Sequence, residues 1–136
     1  MNLKDDKGIY CLVVKLSKDT KIKIGELGKI NFLKGFYLYS GSAMNGLMNR
    51  ISRHRSKQKK LFWHIDYLLK SKYAKIIFAI PIKTDKRLEC ELNRTVSKLP
   101  DATPIKSFGC SDCKCDTHLF YFKEKDFKQK ITEIKL

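Results

Sequence analysis

The sequence predicts a single α+β domain, and three observations carry that expectation. Its 136 residues suit one core, and no repeat or linker divides 1–136. Hydrophobic residues make up 43% and aromatics 11%, enough to bury a core and too many for a disordered chain. Segments with strand-like composition or period are interspersed with segments of helical period.

Gly8 to Leu16 is dense in β-branched and apolar residues and reads as a largely buried strand. Ser17 to Thr20 is a polar turn. From Lys21 to Leu33, Lys21-Ile22-Lys23-Ile24 alternates with period two, and Gly25 and Gly28 punctuate a hairpin. Phe36 to Tyr39 is a further strand, ended by Ser40-Gly41-Ser42. A helix is expected at Gly46 to Arg55. A second is expected at Leu61 to Lys70, where Phe62, Ile65, Leu68 and Leu69 recur at helical spacing. Lys75 to Ile82 reads as a strand, ended by Pro81 and the polar Lys83-Thr84-Asp85. Lys86 to Leu99 reads as a helix with Thr84 or Asp85 as N-cap and Pro100 just past its end. Thr103 to Thr117 is irregular, and His118 to Phe122 is a short strand. The charged tail is expected to be helical from Lys125 to Glu133.

Lys and Arg number 29 against 14 Asp and Glu, a net charge of +15 with a pI near 9.7. Such an excess favours a polyanionic partner, most commonly nucleic acid; the alternative is a lysine-rich surface that merely solvates the fold. Charge names a partner class and no chemistry. The polar start, Met1 to Lys7, does not resemble a signal peptide. The longest apolar run, Ala74 to Ile82, is broken by Lys75 and Pro81, well short of the ~18 residues of a membrane span. A soluble, cytoplasmic protein with no membrane partner is the expectation. The five cysteines, an odd number, argue against a disulfide framework.

Two short motifs fall on strands, Gly8-Ile9-Tyr10 and Tyr39-Ser40-Gly41. If these strands pair antiparallel, Tyr10 and Tyr39 are neighbours at one sheet edge. The helix that follows carries Arg50 and His54 at i and i+4, on one side. Two phenols, a guanidinium and an imidazole then surround one point. A planar, bidentate guanidinium matches the charge that a phosphodiester transition state spreads over its nonbridging oxygens. A tyrosine can position or deprotonate the attacking water if a cation lowers its pKa from about 10. A divalent ion needs a carboxylate, for which Glu89 and Glu91 are the candidates. Tyr37 lies two residues before Tyr39, outside the motif.

Gly8-Ile9-Tyr10, Tyr39-Ser40-Gly41-Ser42-Ala43 and Arg50-x-x-x-His54, in that order, resemble the signature of the GIY-YIG nucleases. The whole chain is similar to a GIY-YIG-related family sometimes fused to the repair glycosylase endonuclease III. That closer likeness includes Trp63-His64-Ile65-Asp66-Tyr67, Glu89-Cys90 and the run from Phe108 to Leu119. The resemblance implies a three-stranded antiparallel sheet flanked by helices and hydrolysis of DNA with one Mg²⁺ or Mn²⁺. Tyr10 would activate water, Tyr39 assist at the phosphate and Arg50 stabilise its charge. His54 matches an optional histidine, and Glu89 best matches the metal carboxylate. Two departures stand out. The stretch between Tyr10 and Tyr39 is longer than the family's usual gap, implying an inserted hairpin around 17–34, and Ser40 stands where a branched apolar residue is usual.

Arg53, Arg55, Lys57, Lys59 and Lys60 form a dense basic stretch, read as phosphate contacts or as complement to the helix dipole. Trp63 reads as core; His64 and Asp66 read as structural, orienting one another or the site. In the Cys-rich segment 108–119, Cys110-x-x-Cys113-x-Cys115-x-x-His118 offers zinc ligands by type and spacing, with Cys90 as a further ligand. A thiol cluster or a disulfide is the alternative. The function expected is a DNA endonuclease, with repair as its setting and a DNA-repair glycosylase as a candidate partner. The alternatives are a nucleic-acid-binding module without cleavage and a structural domain that docks a repair enzyme.

Overall fold

The computed structural model describes residues 6–109 and 115–123. The expected tail helix, Cys110 and Cys113 lie outside those described residues. The chain runs β1 (Gly8–Leu16), β2 (Thr20–Lys23), β3 (Lys29–Phe32), β4 (Gly35–Ala43), α1 (Leu47–Arg55), α2 (His64–Lys70), β5 (Ala74–Lys83), α3 (Glu89–Ser97), β6 (Thr103–Pro104) and β7 (Leu119–Phe122). The α+β expectation holds. Five strands form an antiparallel sheet in the order β5-β1-β4-β7-β6, and β2 and β3 form a separate ribbon. The sheet is broader than the three strands the resemblance implies, because β7 and β6 extend it beyond β4. No helix among the described residues is long and apolar enough to cross a membrane.

Interior strand β1 explains the architecture. Side chains alternate across a strand, so Tyr10, Leu12, Val14 and Leu16 enter one core while Ile9, Cys11 and Val13 enter another. The first core is closed by Leu47 and Ile51 of α1 and by Ile65, Leu68 and Leu69 of α2. The second is closed by Leu92 and Val96 of α3 together with Leu99. A strand covered on both faces needs apolar residues at nearly every position, which is why β1 reads as a continuous run.

Three boundaries differ from the sequence expectation, one through strand pairing and two through side-chain bonds to nearby backbone N–H groups. β4 continues through Ser40-Gly41-Ser42 to Ala43 because β1 pairs with it throughout, Gly8 opposite Ala43 and Tyr10 opposite Gly41. α2 starts at His64 and not Leu61, because the Asp66 carboxylate accepts the N–H groups of Phe62 (2.9 Å) and Trp63 (2.8 Å). α3 starts at Glu89 with Leu88 as N-cap. Thr84, expected to cap it, instead accepts the Lys86 N–H at 3.1 Å in a local turn. The two residues of β6 lie in the stretch expected to be irregular, where β7 supplies their pairing partner.

The motif glycines fit close approaches. A Cβ at Gly8 would lie 2.3 Å from the Ile82 carbonyl and 2.6 Å from Leu47 Cδ1; one at Gly41 would lie 2.5 Å from the Tyr10 hydroxyl. Glycine at 41 is therefore what leaves room for the Tyr10 phenol against β4.

Candidate active site

A cleft of about 410 Å³ opens where the end of β4 meets the starts of α2 and α3. Tyr10, Tyr39, Arg50 and Glu89 line it, with Ser40, Ser42, Trp63, His64 and His118 around them. Four side chains chosen from sequence thus share one cavity. The β1–β4 register does this: Tyr10 opposes Gly41 and Tyr39 opposes Leu12, so both phenols fall on the same face two residues apart.

Tyr10 and His54 form a buried pair, 1% and 2% exposed. The Tyr10 hydroxyl is 2.7 Å from His54 Nε2, with the rings tilted at 51°. Burial pushes the Tyr10 phenol up to about 12, while Arg50 beside it pulls the other way. Burial drives His54 down to about 3, aided by the neighbouring Lys59 ammonium. At neutral pH both are uncharged, so the phenol is placed to donate to the imidazole. His54 Nδ1 is buried with no hydrogen-bond partner among the described residues. His54 itself lies behind Tyr10, and its ring meets Tyr39 edge-on at 6.3 Å. Tyr39 is 8% exposed and also packs edge-on against Phe108.

Arg50 donates to the Ser42 carbonyl at 3.1 Å, and its guanidinium lies 4.5 Å from the Trp63 ring centre. Arg53 lies 4.3 Å from the same ring. Behind this stack, Arg53 grips the fully buried Asp66 with two bonds of 2.9 and 3.0 Å. Asp66 is therefore a structural anchor that sets both Arg53 and the start of α2. Although burial alone would raise it, the Arg53 guanidinium and the Trp63 and Phe62 N–H groups hold its carboxyl below the usual range. His64 accepts the Gly109 N–H at Nδ1 (2.8 Å), tying the Cys-rich segment to α2.

Glu89, the first residue of α3, offers a carboxylate to the cleft, and its Oε2 is buried with no hydrogen-bond partner among the described residues. Glu91, the alternative, is exposed on the helix away from the cleft. A buried carboxylate oxygen without a donor is costly unless a cation or water meets it. The Glu89 oxygen therefore leaves a place in the cleft for a cation or water that the described residues do not supply. On the same wall Cys90, Cys115 and His118 bring their ligand atoms within 4.8 Å of one another. This cluster can bind a metal. His118 Nδ1 is 3.1 Å from the Ser40 carbonyl and its Nε2 is 3.9 Å from Cys90 Sγ. Holding one ring nitrogen on a backbone carbonyl and presenting the other is how ligating histidines are oriented.

The basic stretch divides. Arg55 and Lys60 are exposed, whereas Arg53 is held by Asp66. Lys57 donates to the carbonyls of Leu69, Ser71 (3.1 Å) and Ala74 (3.0 Å), closing the end of α2. Lys59 donates to the carbonyls of Arg53 (3.2 Å) and His54 (2.8 Å) at the end of α1. Sequence reasoning noted Ser40 only as a departure from the family motif, and it did not single out Ser42 or Gly109 as cleft residues. Nor did it single out Phe62, which it counted on the apolar face of a helix. Phe62 precedes that helix and is 74% exposed on the cleft rim.

The family model described as "Domain of unknown function DUF123" matches residues 9–135, and the chain belongs to this family. No curated protein matches it. No solved structure matches it.

Proposed function

We propose that the protein is a divalent-metal-dependent endonuclease that hydrolyses phosphodiester bonds in DNA at the Tyr10–Arg50–Glu89 cleft. The observation that carries this reading is the buried Glu89 oxygen, without a hydrogen-bond partner among the described residues, in the cavity that Tyr10, Tyr39 and Arg50 line. The net charge of +15 supports a polyanionic substrate. The ordered resemblance to GIY-YIG nucleases supplies the reaction class.

Arg50, braced on Trp63, would take the nonbridging phosphate oxygens. Glu89 would hold Mg²⁺ or Mn²⁺, which supplies stabilisation of charge on the phosphate and the leaving oxygen. Tyr10 remains a neutral phenol at rest, so its oxygen orients the attacking water as an acceptor. Loss of the Tyr10 proton to solvent would be favoured by a cation held at Glu89, and the phenolate Oη would then take the proton of the attacking water, with His54 Nε2 holding that oxygen at 2.7 Å. Tyr39, which also lines the cleft, would assist at the phosphate. Exposed Arg55 and Lys60 remain available for flanking phosphates.

To the Cys90–Cys115–His118 cluster we assign Zn²⁺, because thiolate and imidazole donors suit a borderline-soft ion better than Mg²⁺. It would brace the start of α3 and so position Glu89. Metal analysis of purified protein tests this: stoichiometric zinc lost in Cys115→Ser supports it, and metal-free wild type refutes it.

The nuclease reading is tested with labelled branched, nicked, single- and double-stranded DNA in Mg²⁺ or Mn²⁺. Wild type should cut, and Arg50→Ala, Tyr10→Phe and added chelator should each abolish cutting. Salt-dependent binding without cleavage would replace it with a non-catalytic binding module. Neither binding nor cleavage would leave a protein-docking domain.

A further inference from the structure

The rim of the cleft carries a feature that hydrolysis alone does not require. Phe62 is the most exposed large hydrophobic side chain among the described residues. Its position is fixed: the Phe62 N–H is bonded to buried Asp66, and its ring packs edge-on against Trp63 (5.5 Å, 88°). Trp63 is in turn held by the Arg50 and Arg53 guanidiniums and by the Asp66 carboxylate on its own N–H. The Arg53–Asp66 pair, its carboxylate fully buried, thus holds an apolar ring out in water, beside the arginine that faces the cleft.

A single exposed phenylalanine is ordinary on a protein surface. This one lines a cavity with Arg50, on a chain of net charge +15, so its occupant should combine negative charge with a flat apolar face. A nucleotide has both. Within a duplex the base faces are already stacked on their neighbours and closed to a protruding ring. They open only where a strand is unpaired.

Building on the nucleic-acid reading of the same site, we infer that Phe62 is a stacking platform for an unpaired base next to the phosphate held at Arg50. The cleft therefore takes single-stranded or locally unpaired DNA in preference to duplex.

The test measures binding of a short oligothymidylate and of a duplex with the same number of phosphates, in chelator and at fixed salt. Trp63, the sole tryptophan, reports occupancy through its fluorescence. The expected result is a strand affinity about tenfold above duplex, the scale of one base–aromatic stack, with quenching of Trp63. Phe62→Ala should lose that preference while binding duplex as wild type does, and Phe62→Tyr should retain it. Because Phe62 is exposed, both variants should keep the wild-type circular dichroism. Equal strand affinity in wild type and Phe62→Ala, or a wild-type preference for duplex, overturns the inference but leaves the nucleic-acid reading standing. Failure of folded wild type to bind either probe overturns both. Self-association abolished by Phe62→Ala would show that a second copy covers the ring, and would also overturn it.

Discussion

Replacing Asp66 by alanine tests the anchor on which the cleft wall rests. The carboxylate is fully buried and accepts two bonds from Arg53 at 2.9 and 3.0 Å, plus the N–H groups of Phe62 and Trp63 at 2.9 and 2.8 Å. Lys59 adds a longer contact of 3.9 Å. Alanine leaves a partly buried guanidinium without its counter-charge and two helix-start donors without an acceptor. Removing one partner of a buried ion pair costs about 3–5 kcal/mol. With unfolding entropy of about 2.1 cal/mol/K per residue over the whole chain, that corresponds to a Tm loss of roughly 10–17 °C. Asp66→Asn should cost less, about 1.5–3 kcal/mol, because its carbonyl can still take the two backbone N–H groups while its amide faces Arg53. Thermal unfolding followed by circular dichroism measures both. A Tm shift under about 3 °C for Asp66→Ala would refute the reasoning, since it would mean the pair contributes no more than a solvated surface bridge.

Acid sensitivity should trace to His54. Its pKa is near 3 folded against about 6.5 unfolded, so the unfolded chain binds the extra proton between those values and stability falls as pH drops through that window. From about pH 6.5 to 4.5 this group alone removes about 2.3 kcal/mol. His118 and His64, also held low by burial, act in the same direction. Denaturant titrations of wild type and His54→Gln should show a flatter acid limb in the variant; equal slopes would contradict a buried neutral imidazole. Gly41→Ala should displace the Tyr10 ring that sits 2.5 Å from the new Cβ, costing about 1–3 kcal/mol and most of the cleavage activity. Activity and Tm measured together would expose a merely local effect if only one of them fell. Glu89→Gln keeps shape and removes charge from an unpartnered buried oxygen, so Tm should hold or rise. Its Mn²⁺-dependent cleavage should drop on the order of 10²-fold; full activity would remove Glu89 from the site.

How far the fold could be read depended on whether residue type and period alone carry its causes. β1 was legible because burial on both faces demands an unbroken apolar run, and β5 because its turn signals bracket a strand-length segment. The β2–β3 hairpin was legible from period two and two glycines. The start of α2 was not. Phe62 fits the helical period with Ile65 and Leu69, but the Asp66 side chain takes the N–H groups that would have opened the helix earlier. Periodicity counts apolar residues without knowing which backbone donors a later side chain will claim. β6 was hidden for a related reason: its pairing comes from β7, which lies about fifteen residues further along the chain.

The candidate site was legible where residue type and pairing sufficed and illegible where long side chains choose among partners. Tyr10 and Tyr39 needed only the antiparallel pairing of two strands to become neighbours. Glu89 and Glu91 could be separated only by which face of α3 meets the sheet. Arg53, Lys57 and Lys59 look like a solvated phosphate-binding run, yet their charges end on Asp66 and on the carbonyls that close α1 and α2. The basic stretch therefore contributes first to the rigidity of the two helices that frame Tyr10 and Arg50. That division bears on chemistry. With Tyr10 raised and His54 lowered, the pair is neutral at rest and cannot draw a proton from water unaided. Positive charge beside the phenol is what would change this. Arg50 already opposes the effect of burial on Tyr10, and the open carboxylate of Glu89 stands in the same cleft to hold more. On the proposed nuclease reading, proton transfer awaits occupancy of the cleft, and cleavage should quicken as pH rises toward the pKa of the Tyr10 phenol.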